Sequence, residues 1–206
     1  MALIQESYLK NLARQRLRND SRYKAYSSES VQDSLRKSIL LESLQEFAAG
    51  KSYDIFLSHS FSDKELVLGL RTELENYAYS VYVDWIDDYG LDRRNVTRKN
   101  VLWIQERMKA SKCLLYATSS NSSNSKWMPW ELGFMDGFKH KVAIFPISGT
   151  YAASYSGNEY LGIYPYLEKA TMANDSREYL WITDQLEENF YIEFDAWLNG
   201  GELVRH

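Results

Sequence analysis

The pattern of apolar and polar residues predicts an α/β domain in the middle of the chain. Between residues 53 and 147, short apolar runs alternate four times with segments whose apolar residues recur at helical spacing. Strands joined by helices in this way form βαβ units, and therefore a parallel sheet with right-handed crossovers. We expect a flavodoxin-like parallel sheet flanked by helices. The predicted strands are 54–57, 80–84, 113–117 and 142–145, and the predicted helices are 62–77, 98–109 and 125–139.

The segments on either side of this alternation have weaker patterns. Residues 1–50 carry two helical repeats, which predict a helical N-terminal extension ahead of a domain spanning 51–206. Pro146 is expected to end the fourth strand, because proline lacks the N–H that a sheet uses. The other elements predicted in the flanks are helices around 4–12 and 31–47, a strand at 179–182 and a C-terminal helix at about 184–198.

Charge and composition exclude several kinds of function. The net charge is -4 and no long run of Lys and Arg occurs, which argues against nucleic acid as the partner. The N-terminus lacks the apolar core of a signal peptide, and no window approaches the roughly 18 apolar residues of a membrane span. We therefore expect a cytoplasmic protein with no membrane partner. Cys113, the single cysteine, is expected to be a buried apolar residue, and the absence of a zinc motif predicts no metal site.

Polar residues follow the first predicted strand, at the edge where an open parallel sheet binds its ligands. Ser58, His59 and Ser60 lead from that strand into a helix. Hydroxyls and free backbone N–H groups at a helix N-terminus favour phosphate, so these residues are candidates for binding a substrate. The alternative for Ser60 and Ser62 is that they cap the helix.

Polar residues also follow the second and third predicted strands. Asp84 and Trp85 come after the second, and hydroxyl and amide side chains fill residues 118–124 after the third. Asp84 either faces the same cleft or serves the turn at the strand end. The chain has no glycine-rich phosphate loop and no GxGxxG, so a nucleotide would not bind as in a Walker ATPase or a Rossmann dehydrogenase.

The predicted helix at 125–139 places a carboxylate beside aromatic residues. Trp127, Trp130, Phe134 and Phe138 recur as one apolar stripe, and Glu131 lies next to it, four residues after Trp127. A carboxylate that loses hydration near a cleft is a candidate for chemistry. Two alternatives remain open here. Glu131 could serve the helix dipole or a salt bridge, and the tryptophans could pack in the core.

Four segments, in this order, resemble the TIR (Toll/interleukin-1 receptor) domain family. The run YDIFLSHS at 53–60 is similar to the opening strand of these domains, and 81–90 is similar to their second strand and BB loop. The segment 111–113 and the pairing of Trp127 with Glu131 are similar to the family's third strand and αC helix. The loop departs from the family because it lacks the usual Pro-Gly pair.

The resemblance implies an enzyme that cleaves NAD+, with Glu131 as the catalytic residue. Loss of nicotinamide leaves an oxocarbenium-like transition state, which a preorganised carboxylate stabilises. NAD+ would be the substrate, and no cofactor or metal is implied. The residues expected to bind the substrate are Ser58, His59, Ser60, Asp84, Trp85 and Trp127.

By the same resemblance, the protein is similar to the TIR component of Thoeris-like antiphage defence. Such a protein makes a signal nucleotide derived from ADP-ribose, which activates a separate effector, and it is expected to form a homo-oligomer through TIR contacts. Three alternatives stay open: an effector that depletes NAD+, a scaffold without catalysis, and an enzyme like the nucleoside deoxyribosyltransferases. The pairing of Trp127 with Glu131 argues against a pure scaffold.

Overall fold

The computed structural model describes residues 3–19, 50–87, 96–149, 159–172 and 175–206. Over these residues the chain forms one nine-stranded sheet with helices on both faces. The strands are β1 Ile4–Gln5, β2 Tyr53–Ser58, β3 Val81–Tyr82, β4 Ser111–Thr118, β5 Val142–Ser148, β6 Tyr166–Thr171, β7 Glu178–Thr183, β8 Phe190–Glu193 and β9 Val204–Arg205. The helices are α1 Glu6–Asn19, α2 Lys64–Asn76, α3 Asp84–Asp87, α4 Arg98–Lys109, α5 Trp127–Lys139 and α6 Phe194–Leu198.

The sheet begins as the flavodoxin-like parallel sheet that the alternation predicts. Its strand order starts β3-β2-β4-β5-β6, and every neighbouring pair in this part is parallel. The prediction of fold class is therefore confirmed. Beyond β6 the strands β7, β8 and β9 add an antiparallel extension, while β1 pairs in parallel with the last two residues of β5.

The alternation of side chains along each strand builds two separate cores. On β2, Ile55 and Leu57 contact the core that also includes α1, α2 and α6. Phe56 contacts the other core, which is formed with α4 and α5. Since Ser58 is two residues beyond Phe56, the same alternation directs its side chain toward α5 at the carboxyl end of the strand.

The N-terminal helix α1 packs directly on α2. Gly69 lies where the two helices cross, and a Cβ built on it would be 2.0 Å from the backbone oxygen of Leu9. The Tyr8 hydroxyl donates to the buried carboxylate of Glu73 at 2.7 Å, and Lys169 of β6 donates to the other oxygen at 2.6 Å. One carboxylate thus joins α1, α2 and the sheet.

Helix α1 forms where the first helical repeat of the extension predicts one. The second predicted helix, at 31–47, lies outside the described residues. The division into an extension at 1–50 and a domain at 51–206 therefore stays a prediction.

Pro146 does not end the fourth strand, contrary to the sequence-based expectation, because β5 continues through it to Ser148. The N–H of Ile144 faces β6 and donates to the Pro165 carbonyl at 2.9 Å. Two residues later the nitrogen of Pro146 faces the same side, where the pairing with β6 has already ended after one residue pair. The missing N–H therefore costs the sheet no hydrogen bond.

The predicted C-terminal helix at 184–198 is also wrong in its first half. The Asp184 carboxylate accepts the N–H groups of Leu186 and Glu187, which makes a local turn. Asn189 then adopts a left-handed φ of 63°, and the chain returns as strand β8 against β7. Only the last part, α6, is helical.

The crossing of α1 and α2 yields a test of the fold. Gly69→Ala should lower the free energy of unfolding by about 3 kcal/mol, because the added methyl group must push apart two packed backbones. Gly137→Ala on α5 is the matched control, since a Cβ there meets nothing within 4 Å. This control should be about 1 kcal/mol more stable than the parent, as alanine is the better helix former. Urea unfolding measures both, and equal effects would show that the helices do not cross at Gly69.

Candidate active site at the carboxyl end of the sheet

A buried carboxylate stands at the end of the first parallel strand. Glu131, in the second turn of α5, is 0% exposed. The Ser58 hydroxyl, on the last residue of β2, donates to its Oε2 at 2.6 Å. The hydroxyl fixes the direction of the carboxylate, and the low-dielectric surroundings strengthen its interaction with any positive charge brought beside it.

Helix α5 buries a different face from the aromatic stripe identified in the sequence. Its buried residues are Met128, Glu131, Leu132 and Met135. The two faces share the same helical spacing and are offset by one residue, so the carboxylate lies on the buried face itself rather than beside it.

The aromatic residues of α5 form a partly exposed ladder. Neighbouring ring centroids are 5.5 Å apart for Trp127 and Trp130, 6.0 Å for Trp130 and Phe134, and 5.8 Å for Phe134 and Phe138. Phe138 is 51% exposed, whereas Trp127 is partly buried against the core below α5. Trp127 is thus the aromatic residue that lies one helical turn before Glu131, and part of its surface is still accessible.

His59, the residue after Ser58, meets Asp84, and each of the two is 3% exposed. His59 Nδ1 lies 2.8 Å from the carbonyl oxygen of Leu57, which can only accept, so Nδ1 carries a proton. On the other side of the ring, Nε2 is 3.3 Å from Oδ1 of Asp84, an ion-pair distance when the ring is protonated. The two residues join the ends of β2 and β3, as expected for polar groups that follow adjacent parallel strands.

Ser60 is buried and accepts the N–H of Ser62 at 3.4 Å, at the start of a 3-10 turn over Phe61–Asp63. This contact supports the capping alternative for Ser60. Ser62 does not cap α2, since the N-cap position of that helix belongs to Asp63.

Short helix α3 carries the residues that follow the second parallel strand. Its Asp87 carboxylate accepts the Val83 N–H at 2.7 Å and the Arg71 guanidinium at 2.9 Å, and burial raises the pKa of Asp87 to about 6. These bonds fix the turn in which Asp84 stands. Trp85 belongs to the same helix, but its side chain and the loop at 88–95 lie outside the described residues.

One contact that the sequence did not reveal joins the loops after β2 and β4. Asp63 accepts the Ser119 hydroxyl at 2.5 Å and the Asn121 amide at 2.6 Å. The sequence around Asp63 is typical of a helix start, and this pattern predicts capping rather than a contact across the sheet. The only available signal was the hydroxyl and amide run at 118–124, since it needs acceptors.

No group of three or more His, Cys, Asp or Glu side chains that could hold a metal ion occurs within the described ranges. Burial raises the pKa of the Cys113 thiol far above its usual value, which fits its place inside β4. Nor does the described part of the chain contain a helix long and apolar enough to cross a membrane.

The chain is similar to one known protein family and to two named relatives. The family described as "TIR domain" matches residues 55–160. The chain is 47% identical over 163 residues to "Probable 3' cyclic ADP-D-ribose synthase ThsB'" of Bacillus cereus (strain MSX-D12), a match that covers 79% of this chain and 83% of the relative. It is 29% identical over 85 residues to "Putative cyclic ADP-D-ribose synthase TIR2" of Cytobacillus dafuensis, which covers 41% of this chain and 22% of that protein.

The hydrogen bond between Ser58 and Glu131 can be tested through stability. Ser58→Ala should lower the free energy of unfolding by about 2 kcal/mol, because a hydrogen bond to a charged group contributes about that much. Ser52→Ala, at an exposed serine just before β2, should change it by less than about 0.5 kcal/mol. Urea unfolding compares the two, and a Ser58 variant as stable as the Ser52 variant would contradict the bond.

Proposed function

Because the chain belongs to the TIR domain family, we propose that it converts NAD+ into nicotinamide and a cyclic ADP-ribose. Its 47% identity to a relative named as a 3' cyclic ADP-D-ribose synthase, over 79% of its length, supports this reaction. The observation that carries the proposal within the molecule is Glu131, a wholly buried carboxylate at the edge where a parallel sheet binds ligands.

The reaction begins at C1″ of the ribose that bears nicotinamide. The bond from C1″ to the pyridinium nitrogen breaks, and its electron pair leaves with neutral nicotinamide. The remaining cation is attacked by a hydroxyl of the same molecule, which forms a new C1″–O bond and releases a proton. If water attacks instead, the product is linear ADP-ribose, with the same release of nicotinamide and a proton.

Glu131 stabilises the cation that develops at C1″. Its carboxylate needs no reorganisation at the moment of reaction, because the Ser58 hydroxyl already holds Oε2. The buried surroundings screen the charge poorly, which increases its effect on the transition state.

The neighbouring residues hold the rest of NAD+. The partly exposed ring of Trp127 stacks on a flat ring of the substrate, as aromatic side chains do. His59, Ser60 and Asp84 place polar groups and backbone N–H donors at the ends of β2 and β3, where the phosphates and ribose hydroxyls bind. Trp85 follows Asp84 in α3 and completes this set.

A diffusible cyclic nucleotide is suited to act as a signal to a separate effector protein. We place this signalling in antiphage immunity of the Thoeris type, as the resemblance implies, and in the cytoplasm, where NAD+ is abundant. The product is the 3' cyclic isomer named for the relative from Bacillus cereus. Copies of the chain assemble through TIR contacts.

The reaction is tested by incubating NAD+ with the wild type and with Glu131→Gln, and by resolving the products by mass spectrometry. We expect the wild type to release nicotinamide and a cyclic ADP-ribose. Loss of the negative charge should lower turnover by about a hundredfold or more, as removal of one transition-state contact does in other enzymes. Comparison of the cyclic product with standards identifies the isomer.

Glu188→Gln is the matched control, since it makes the same change at an exposed glutamate of the turn before β8. It should leave turnover unchanged. Nicotinamide release by the Glu131 variant at the rate of this control would rule out the proposed role of Glu131.

A further inference from the structure

Asp63 holds two loops together at the end of the sheet. It is 7% exposed, and its two carboxylate oxygens are both occupied by side chains of the segment after β4. The Ser119 hydroxyl donates to one oxygen, and the Asn121 amide donates to the other. Ser119 and Asn121 lie 56 and 58 residues further along the chain, so this contact is tertiary rather than local.

Asp63 stands at the start of α2, where an aspartate side chain usually caps the helix. As the N-cap residue, it would accept a backbone N–H of the first turn. No such bond is made here. The N-cap residue of α4, Thr97, does accept the Asn100 N–H at 3.2 Å. Asp63 therefore hydrogen-bonds the loop after β4 instead of capping α2.

The loop that Asp63 holds is closed by its own hydrogen bonds. The Asn121 N–H donates to the Ser119 hydroxyl oxygen at 3.0 Å. The Ser122 hydroxyl donates to the Ser119 carbonyl at 2.8 Å and accepts the Ser119 N–H at 3.3 Å. Since these bonds make 119–122 a compact unit, the carboxylate of Asp63 positions the unit as a whole.

This unit stands next to the proposed reaction site. Ser58 pairs in register with Tyr116, so the carboxyl ends of β2 and β4 are side by side. The chain passes from the unit through a 3-10 turn at Ser122–Asn124 into α5, whose first residue is Trp127. The loop therefore forms the rim between the end of β2 and the start of the helix that carries Glu131.

We infer that Asp63 is a positioning residue that keeps this rim closed, so that the hydroxyl of the substrate reaches C1″ before water does. The inference rests on the proposed function, because it concerns whether the cation formed at C1″ reacts with a hydroxyl of the same molecule or with water. A closed rim favours the cyclic product, and a loosened rim admits water and favours linear ADP-ribose. Asp63 would act on this division without touching the substrate.

The test is the ratio of linear to cyclic product, which does not depend on how much of a variant is folded. Asp63→Asn leaves a single acceptor oxygen that cannot serve both Ser119 and Asn121, and in Asn121→Asp two carboxylates face each other. Each single change should raise the ratio about tenfold, because one charge-assisted hydrogen bond is lost. The double exchange Asp63→Asn/Asn121→Asp restores a donor opposite an acceptor, and should return the ratio close to that of the wild type.

Two serine variants in the same loop complete the experiment. Ser119→Ala removes the hydroxyl that donates to Asp63 and accepts the Asn121 N–H, and should raise the ratio in the same direction, even if the charged variants fold poorly. Ser123→Ala, at an exposed position, should leave it unchanged.

A ratio that stays at the wild-type value in Asp63→Asn and Ser119→Ala, while total turnover falls with the folded fraction, would overturn the inference. Such a result would mean that Asp63 only stabilises the fold. A failure of the proposed function is distinguishable from this, because the wild type would then make no cyclic product at all.

Discussion

The burial of Glu131 is the constraint on which the rest of the site depends. A carboxylate without water is tolerated only where neighbouring groups hydrogen-bond it. Ser58 can do so because β2 ends at that residue and because the alternation of the strand turns its side chain toward α5. The hydrogen bond from Ser58 to Glu131 therefore forms only if the strand register, the rotation of the helix and the direction of the carboxylate all agree.

A second buried carboxylate shows what a structural role looks like in the same molecule. Glu73, 2% exposed, meets the Lys169 ammonium at 2.6 Å and the Tyr8 hydroxyl at 2.7 Å. Its charge is neutralised inside the protein, and its removal would break one contact to α1 and one to the sheet. The Ser58 hydroxyl that donates to Glu131 is itself neutral, so this bond orients the carboxylate and brings no charge of its own.

The sequence predicted elements well where one pattern dominates. Helix α4 occupies 98–109 as expected, and the parallel strands follow from their apolar runs. It failed where two explanations share one pattern. The aromatic stripe of α5 has the same period as the buried face, so hydrophobicity alone could not separate the two. Pro146 breaks a strand only if a neighbour needs its N–H, and the sequence around Asp63 does not indicate its distant partners Ser119 and Asn121. Both depend on contacts made after folding.

Both outer strands of the described sheet, β3 and β9, are only two residues long. An edge strand exposes unpaired N–H and carbonyl groups, and a long one recruits the edge of another molecule. Edges this short offer little template for such pairing, which protects the protein from aggregating as a continuous sheet. If copies of the chain associate, side chains on helices and loops are better placed to make the contact than the backbone of these two outer strands.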